Sequence, residues 1–160
     1  MIPPWKELDS EREEMLQLQP DIRGVVYPGA HVLGVLELGE GSVVLPGTVI
    51  EGHVRIGRGC RIGPNAYLRG ETRIGNDCII GNAVEVKSSL LGDKVFVSHL
   101  SYIGDSIIRD DVNVGGGCIF SNFRHDAGEI RMPWQGGLHP TGRNKLGCVV
   151  GSGCRIGCKC

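Results

Sequence analysis

Aromatic residues are scarce, only 5% of this 160-residue chain, while glycine is abundant at 26. That mixture argues against an ordinary helical globule, and the absence of a Gly-X-Y period excludes collagen. No charge of either sign is in excess. Against 17 Lys and Arg stand 18 Asp and Glu, a net of −1, so no global basicity points to nucleic acid or an anionic membrane. No apolar run approaches the roughly 20 residues that a membrane-spanning helix needs. The opening MIPPWKELDSEREEM lacks the charged-then-apolar order of a signal peptide, so the cytoplasm is the expected compartment. A CxxC pair is missing from the late set Cys148, Cys154, Cys158 and Cys160, and with it the usual framework of a zinc knuckle; no metal site is expected.

What the chain does have is a beat of six. Val26, Val32, Leu38, Val44, Ile50, Ile56, Ile62, Leu68, Ile74, Ile80 and Val86 are all aliphatic. Glycine often follows the aliphatic, as at Gly39, Gly57, Gly63, Gly75 and Gly81. Four residues after it the slot is small or aliphatic, from Ala30 and Leu36 through Cys60 and Cys78 to Leu90. The beat slips by one residue to Leu91, Val97 and Ile103, and slips again to Ile108, Val114 and Phe120. Six fits neither a helix nor a plain hairpin. It fits a short strand plus a tight bend; three such units close a triangular coil, and coils stack about 4.8 Å apart as parallel strands. One coil cannot bury its aliphatics alone, so stacking makes the core. The thiols of Cys60, Cys78, Cys118, Cys148, Cys154 and Cys160 fall in the small slot and read as small hydrophobes.

The chain divides accordingly. Residues 1–21 form an N-terminal segment with a short helix over 3–18, prolines at its entry and Trp5, Leu8, Met15 and Leu16 among charges. This helix is expected to cap the first coil, since solenoids need covered ends. Residues 22–160 are coils, interrupted at 123–143 by a polar, Gly- and Pro-containing insertion that loses the period. A loop this long in a compact domain is usually functional or disordered. The beat returns at Lys145 and the sequence stops mid-coil at Cys160.

Chemistry concentrates around HLSYIGD, His99 to Asp105. His99 is the only histidine in the regular later part of the repeat; a lone histidine is commonly just a solvated surface residue. Arg69 and Lys87 are 18 residues apart, one coil, and should stack on one face. Like charges so placed repel unless they share an anion, and phosphate suits the several charge-assisted donors of Arg and Lys. A solvated basic stripe is the plain alternative.

The hexapeptide beat resembles the hexapeptide-repeat acyltransferase family, whose fold is the left-handed parallel β-helix. The resemblance covers about Val26 to Lys159 apart from the insertion. It implies an all-β, left-handed solenoid, and a homotrimer of parallel prisms with acyl transfer between neighbours. The stretch from Leu68 to Phe123 closely resembles the acetyltransferase domain of bacterial bifunctional N-acetylglucosamine-1-phosphate uridyltransferase/glucosamine-1-phosphate acetyltransferases. The shared pieces are the arginine-glycine at Arg69, N-A-V-E-V-K ending at Lys87, HLSYIGD, N-V-G-G-G from Asn113, and the closing Asn122. Later pieces, NFRHD and GRNKLGCVVGSGCRIG, look more like archaeal sugar-1-phosphate nucleotidylyltransferases bearing the same β-helix.

By that resemblance His99 is the general base, taking the proton of a hexosamine 1-phosphate amine as it attacks acetyl-CoA. An imidazole suits that task near neutrality. Arg69, Lys87 and Tyr102 are implied to hold the sugar phosphate, and Asn113 and Asn122 the sugar hydroxyls or amine. Gly115, Gly116 and Gly117 are implied to face the pantetheine of the coenzyme, with Cys158 the last position that aligns to its groove. The family also places a phosphate-binding lysine a few residues past the closing asparagine. Here that region holds Gly128 and Arg131, so Lys145 or Arg143 is left to take its part.

Three rival readings stand beside this one. A hexapeptide-repeat carbonic anhydrase needs three zinc-binding histidines, two closely spaced, and His31, His53, His99, His125 and His139 offer no such pair. A dinucleotide site at GGGC lacks the strand-turn-helix around it. A non-catalytic trimeric module binding a sugar phosphate or nucleotide sugar, and partnering a separate nucleotidyltransferase, is the serious rival.

Overall fold

The computed structural model describes residues 2–160. They wind into a left-handed parallel β-helix of three faces, two of seven strands and one of six. Face 1 includes Val35–Leu38, His53–Ile56, Glu71–Ile74, Leu90–Leu91 and Ile107–Ile108. Face 2 includes Arg61–Ile62, Ile79–Asn82, Phe96–His99 and Asn113–Val114, and face 3 Tyr67–Arg69, Glu85–Lys87, Tyr102–Gly104 and Ile119–Phe120. From Leu38 to Val114 every aliphatic of the beat is at most 3% exposed. Val26 and Val32, in the first coil, are only partly buried because no coil covers them from below.

The slip in the beat is a change of coil length. Ile56 pairs with Ile74, eighteen residues on, whereas Ile74 pairs with Leu91 and Leu91 with Ile108, seventeen on each time. The residue lost is not where the period placed it. Ser89 and Ser106, fully buried, take the small slot, and Leu90 and Ile107 turn outwards. The small slot also satisfies backbone groups that the corners leave unpaired. Ser89 donates to Lys87 O at 2.8 Å and accepts from Ser106 N at 3.0 Å, while Ser106 Oγ accepts from Cys148 N at 3.1 Å. Cys60 and Cys78 do the same at another corner, donating to Gly75 O and Gly92 O. Cys60, Cys78 and Cys118 are buried, but Cys154, Cys158 and Cys160 in the last coil are exposed. The hydrogen bond with the Cys60 thiol, and then burial, push the Cys78 thiol above its ordinary range.

Helix α1 (Pro4–Met15) does not cap the first coil. It lies along face 1, so the expected position is corrected. The reason is electrostatic and apolar together. Glu14 meets Arg55 at 2.7 Å, Glu11 meets Arg73, and Glu7 grips Arg109 through two bonds of 2.6 and 2.7 Å. A helix turn rises about 5.4 Å and a coil about 4.8 Å, so acidic residues along one side of α1 reach Arg55 and Arg73 on adjacent coils and Arg109 two coils further up. Trp5 and Leu8 pack on the outward Leu90 and Ile107 with Leu146, forming a second core. Leu16, expected on the packed side, is 46% exposed. The insertion is ordered into strands Arg131–Trp134 and Gly137–Pro140, paired antiparallel. Its Ile130, Met132 and Trp134 join the second core, with Trp134 edge-to-face on Trp5 at 6.4 Å between centroids.

Candidate active site

Register places the two cations as the period expects: Lys87 pairs with Arg69 below and Gly104 above on face 3. The inference that they need an external anion is corrected, however. Arg69 Nε donates to Glu85 at 2.7 Å, and Lys87 Nζ to Asp105 at 2.8 Å, so each cation carries its own carboxylate. One coil higher, Tyr102 stacks over Glu85. Asn122, where the chain leaves the coil for the insertion, donates through Nδ2 to Tyr102 Oη at 3.0 Å and to Asp105 Oδ2 at 2.5 Å. Burial pushes the Tyr102 hydroxyl above its ordinary range; the Asn122 hydrogen bond opposes this and Asp105 adds to it.

Gly104 makes that arrangement possible. A methyl group there would sit 2.3 Å from Tyr102 Oη and 2.6 Å from Asn122 Nδ2. Arg69, Lys87, Tyr102 and Asn122, with Phe123 and Lys145, line a hollow of about 290 Å³. Lys145 arrives from the far side of the insertion through a bridge to Phe123. A second hollow of about 500 Å³ lies between α1 and the prism, and Lys87 and Lys145 line it as well.

His99 is exposed at the corner between faces 2 and 3, stacked on Asn82. Gly117 N–H reaches His99 O at 3.4 Å and Lys159 N–H reaches Gly116 O at 2.9 Å, so His99, Gly116 and Cys158 climb one corner in successive coils. Leu100, Gly117 and Lys159 each repeat the positive φ of that corner. Gly115 has a packing reason to be glycine, since a methyl group would lie 2.6 Å from Gly157 C. Gly116 is more open, with 3.4 Å to His99 Cβ. Asn113 stands apart. It is exposed on face 2, in register with Phe96 and Arg155.

The structure therefore gathers Arg69, Lys87, Tyr102 and Asn122, sets His99 with Gly116 and Cys158 on the adjoining corner, and leaves Asn113 on another face. Sequence reasoning missed Gly104, Asp105 and the pairing role of Glu85, although Gly104 and Asp105 stand inside the HLSYIGD motif itself. Among the described residues no three His, Cys, Asp or Glu converge as a metal-ligand group. No described helix is long and apolar enough to cross a membrane.

Residues 44–160 match the family described as the GMPPB C-terminal domain. A bifunctional sugar-1-phosphate nucleotidylyltransferase/acetyltransferase of Sulfurisphaera tokodaii is 41% identical over 75 residues, 47% of this chain and 19% of that protein. The bifunctional protein GlmU of Bacillus mycoides is 38% identical over 77 residues, 48% of this chain and 13% of that one. The matched segments thus span a fifth or less of these relatives' lengths. A solved mutant perosamine N-acetyltransferase from Caulobacter crescentus, in complex with CoA and GDP-perosamine, aligns with a TM-score of 0.45 at 16% identity, covering 72% of this chain and 58% of that one.

Proposed function

The chain belongs to the GMPPB C-terminal domain family, and from that premise we propose that it is an acetyltransferase moving acetyl from acetyl-CoA to the 2-amine of a hexosamine 1-phosphate. The observation that carries this is the hydrogen-bonded set on face 3, where Lys87, Tyr102 and Asn122 are held together through Asp105 and Tyr102 stands three residues along the chain from an exposed His99. The names of relatives that share this segment, a nucleotidylyltransferase/acetyltransferase among them, support the same activity.

Lys87 and Lys145, with Arg69, take the phosphate of the sugar, and Tyr102 and Asn122 orient its ring. The amine nitrogen attacks the thioester carbonyl carbon while the His99 imidazole accepts its proton. The developing oxyanion needs a backbone donor. Gly115 N–H is engaged by Ile156 O and Gly117 N–H by His99 O, which leaves Gly116 N–H for that role among the three. The tetrahedral intermediate then expels the coenzyme A thiolate, which takes the proton back from the imidazolium. Positioning supplies most of the acceleration.

A second copy completes the site. Face 1 is covered by α1, so faces 2 and 3 are the ones left to meet neighbouring prisms in a homotrimer, bringing the Asn113 of one copy towards the His99 of another. The exposed Ile79, Leu100 and Ile119, at 37%, 64% and 59%, lie on those two faces or the corner between them. The second reading is a non-catalytic module that binds the sugar phosphate without turning it over; the pairing of Arg69 with Glu85 and Lys87 with Asp105 bears on both readings alike. Such a module could partner a separate nucleotidyltransferase.

The experiment is thiol release from acetyl-CoA in the presence of glucosamine 1-phosphate, comparing the wild type with His99→Ala. Loss of a general base should slow turnover by about 10²–10⁴-fold. Equal rates in the two proteins remove His99 from the chemistry, and sugar-phosphate binding without turnover decides for the module.

A further inference from the structure

Asp105 plays no part in the chemistry above, yet Lys87 and Asn122 of the sugar-phosphate face both converge on it. Asp105 is buried, at 4% exposure for the whole residue. Oδ2 accepts from Lys87 Nζ at 2.8 Å and from Asn122 Nδ2 at 2.5 Å, and Oδ1 faces Arg143 Nη2 at 3.8 Å. Arg143, at the end of the insertion, also pairs with Asp9 of α1. Charge therefore alternates from Asp9 to Arg143, Asp105 and Lys87, from the helix across the insertion into the hollow.

The turn itself does not call for a carboxylate. In the three coils below, this corner takes a positive φ at Gly52, Gly70 and Ser88. Asp105 takes the same conformation, which Asp tolerates better than most residues. A carboxylate stands at this corner only where Lys87 lies one coil below and Asn122 one coil above. Nor is a buried ion pair a strong reason on stability grounds, since desolvation offsets much of its attraction.

We propose that Asp105 is the positioning residue of the sugar-phosphate site and that α1 and the insertion hold it through Arg143; this rests on the function proposed above. Two consequences follow for ligand recognition. The ammonium of Lys87 gives one N–H to Asp105 and keeps two for a phosphate. Both N–H groups of the Asn122 carboxamide are spent on Tyr102 and Asp105, so its Oδ1 is left to accept from a hydroxyl or amine of the sugar. Helix and insertion, which lie outside the coils, thereby become part of substrate recognition.

The test is calorimetric titration of the full chain with glucosamine 1-phosphate and, separately, with acetyl-CoA, on wild type, Asp105→Asn, Arg143→Ala and Arg143→Lys. Removing the charge at Asp105 should weaken sugar-phosphate affinity by about tenfold or more and leave acetyl-CoA affinity within about twofold of wild type. Arg143→Ala should weaken it by a smaller factor, with Arg143→Lys recovering most of the loss. If Asp105→Asn does not fold, the Arg143 pair carries the test, because that residue lies outside the coils. Sugar-phosphate affinity unchanged in Asp105→Asn or in Arg143→Ala, or equal loss for both ligands, overturns the positioning role alone. No sugar-phosphate binding by the wild type overturns the proposed function and takes the positioning role with it.

Discussion

Faces 1 and 3 of the prism are built on the same hexapeptide beat, with the same inward aliphatics, and differ only in what points outwards. Face 1 presents Arg55, Arg73, Leu90 and Ile107 and is covered by α1 and the insertion. Face 3 presents Tyr67, Arg69, Glu85, Lys87 and Tyr102 and stays open around a polar hollow. The difference teaches that the repeat specifies the scaffold through one half of each strand and leaves the other half for covering or for chemistry. On face 1 the outward cations are taken up by the helix. On face 3 they are taken up by neighbouring coils, in a pattern that leaves donors and a hollow.

That contrast can be broken at three levels. The largest expected effect is on the shared inward half. Ile80→Ala removes a fully buried side chain from the middle of the stack and should cost about 2–5 kcal/mol of stability. Loss of cooperative melting, or a midpoint far below wild type, checks it; a wild-type midpoint would mean that the coils are not the common core. Next comes a change confined to face 3. Gly104→Ala drives a methyl group into Tyr102 and Asn122, and should weaken sugar-phosphate binding about tenfold, as misplacement of about an ångström can, while melting falls much less than for Ile80→Ala. Titration alongside melting separates the two.

The smallest effect lies on face 1. Hydrogen bonding to Arg109 holds the Glu7 carboxyl below its ordinary 4.5, against a weaker opposing effect of burial. A depressed folded value means that the stabilisation is fully present above the ordinary 4.5 and disappears as pH falls through the folded value. The pair is about 40% exposed, so solvent screening keeps its worth below about 1 kcal/mol. Glu7→Gln should therefore melt slightly below wild type at neutral pH, with the gap closing on acidification. A gap that widens in acid would reverse the sign.

The inward half was readable because burial enforces it. Eleven aliphatics in step from Val26 to Val86 leave one way to close a core, and the stacking of Arg69 on Lys87 follows from the same step. The outward half was not, for reasons that differ by residue. Ser89 and Leu90 both suit a small or aliphatic slot, so the sequence cannot say which of them a shortened corner turns out. The acids Glu7, Glu11 and Glu14 look like a solvated helix face until Arg55, Arg73 and Arg109 are seen to be spaced along the stack. Trp5 and Trp134 are 129 residues apart in the chain (134 minus 5), with no period to connect them. Asp105 escaped because the coil is seventeen residues there: Gly104 takes the register above Lys87, and Asp105 reaches Lys87 diagonally.

The account is tested most directly by following a ¹³C-labelled acetyl group. Labelled acetyl-CoA and glucosamine 1-phosphate are incubated with the full chain, and the product is read by NMR. The label should appear in an amide on the sugar nitrogen, formed by the wild type and nearly lost in His99→Ala. Label found only as free acetate or as an ester on a sugar hydroxyl, or appearing equally with His99→Ala, would contradict it.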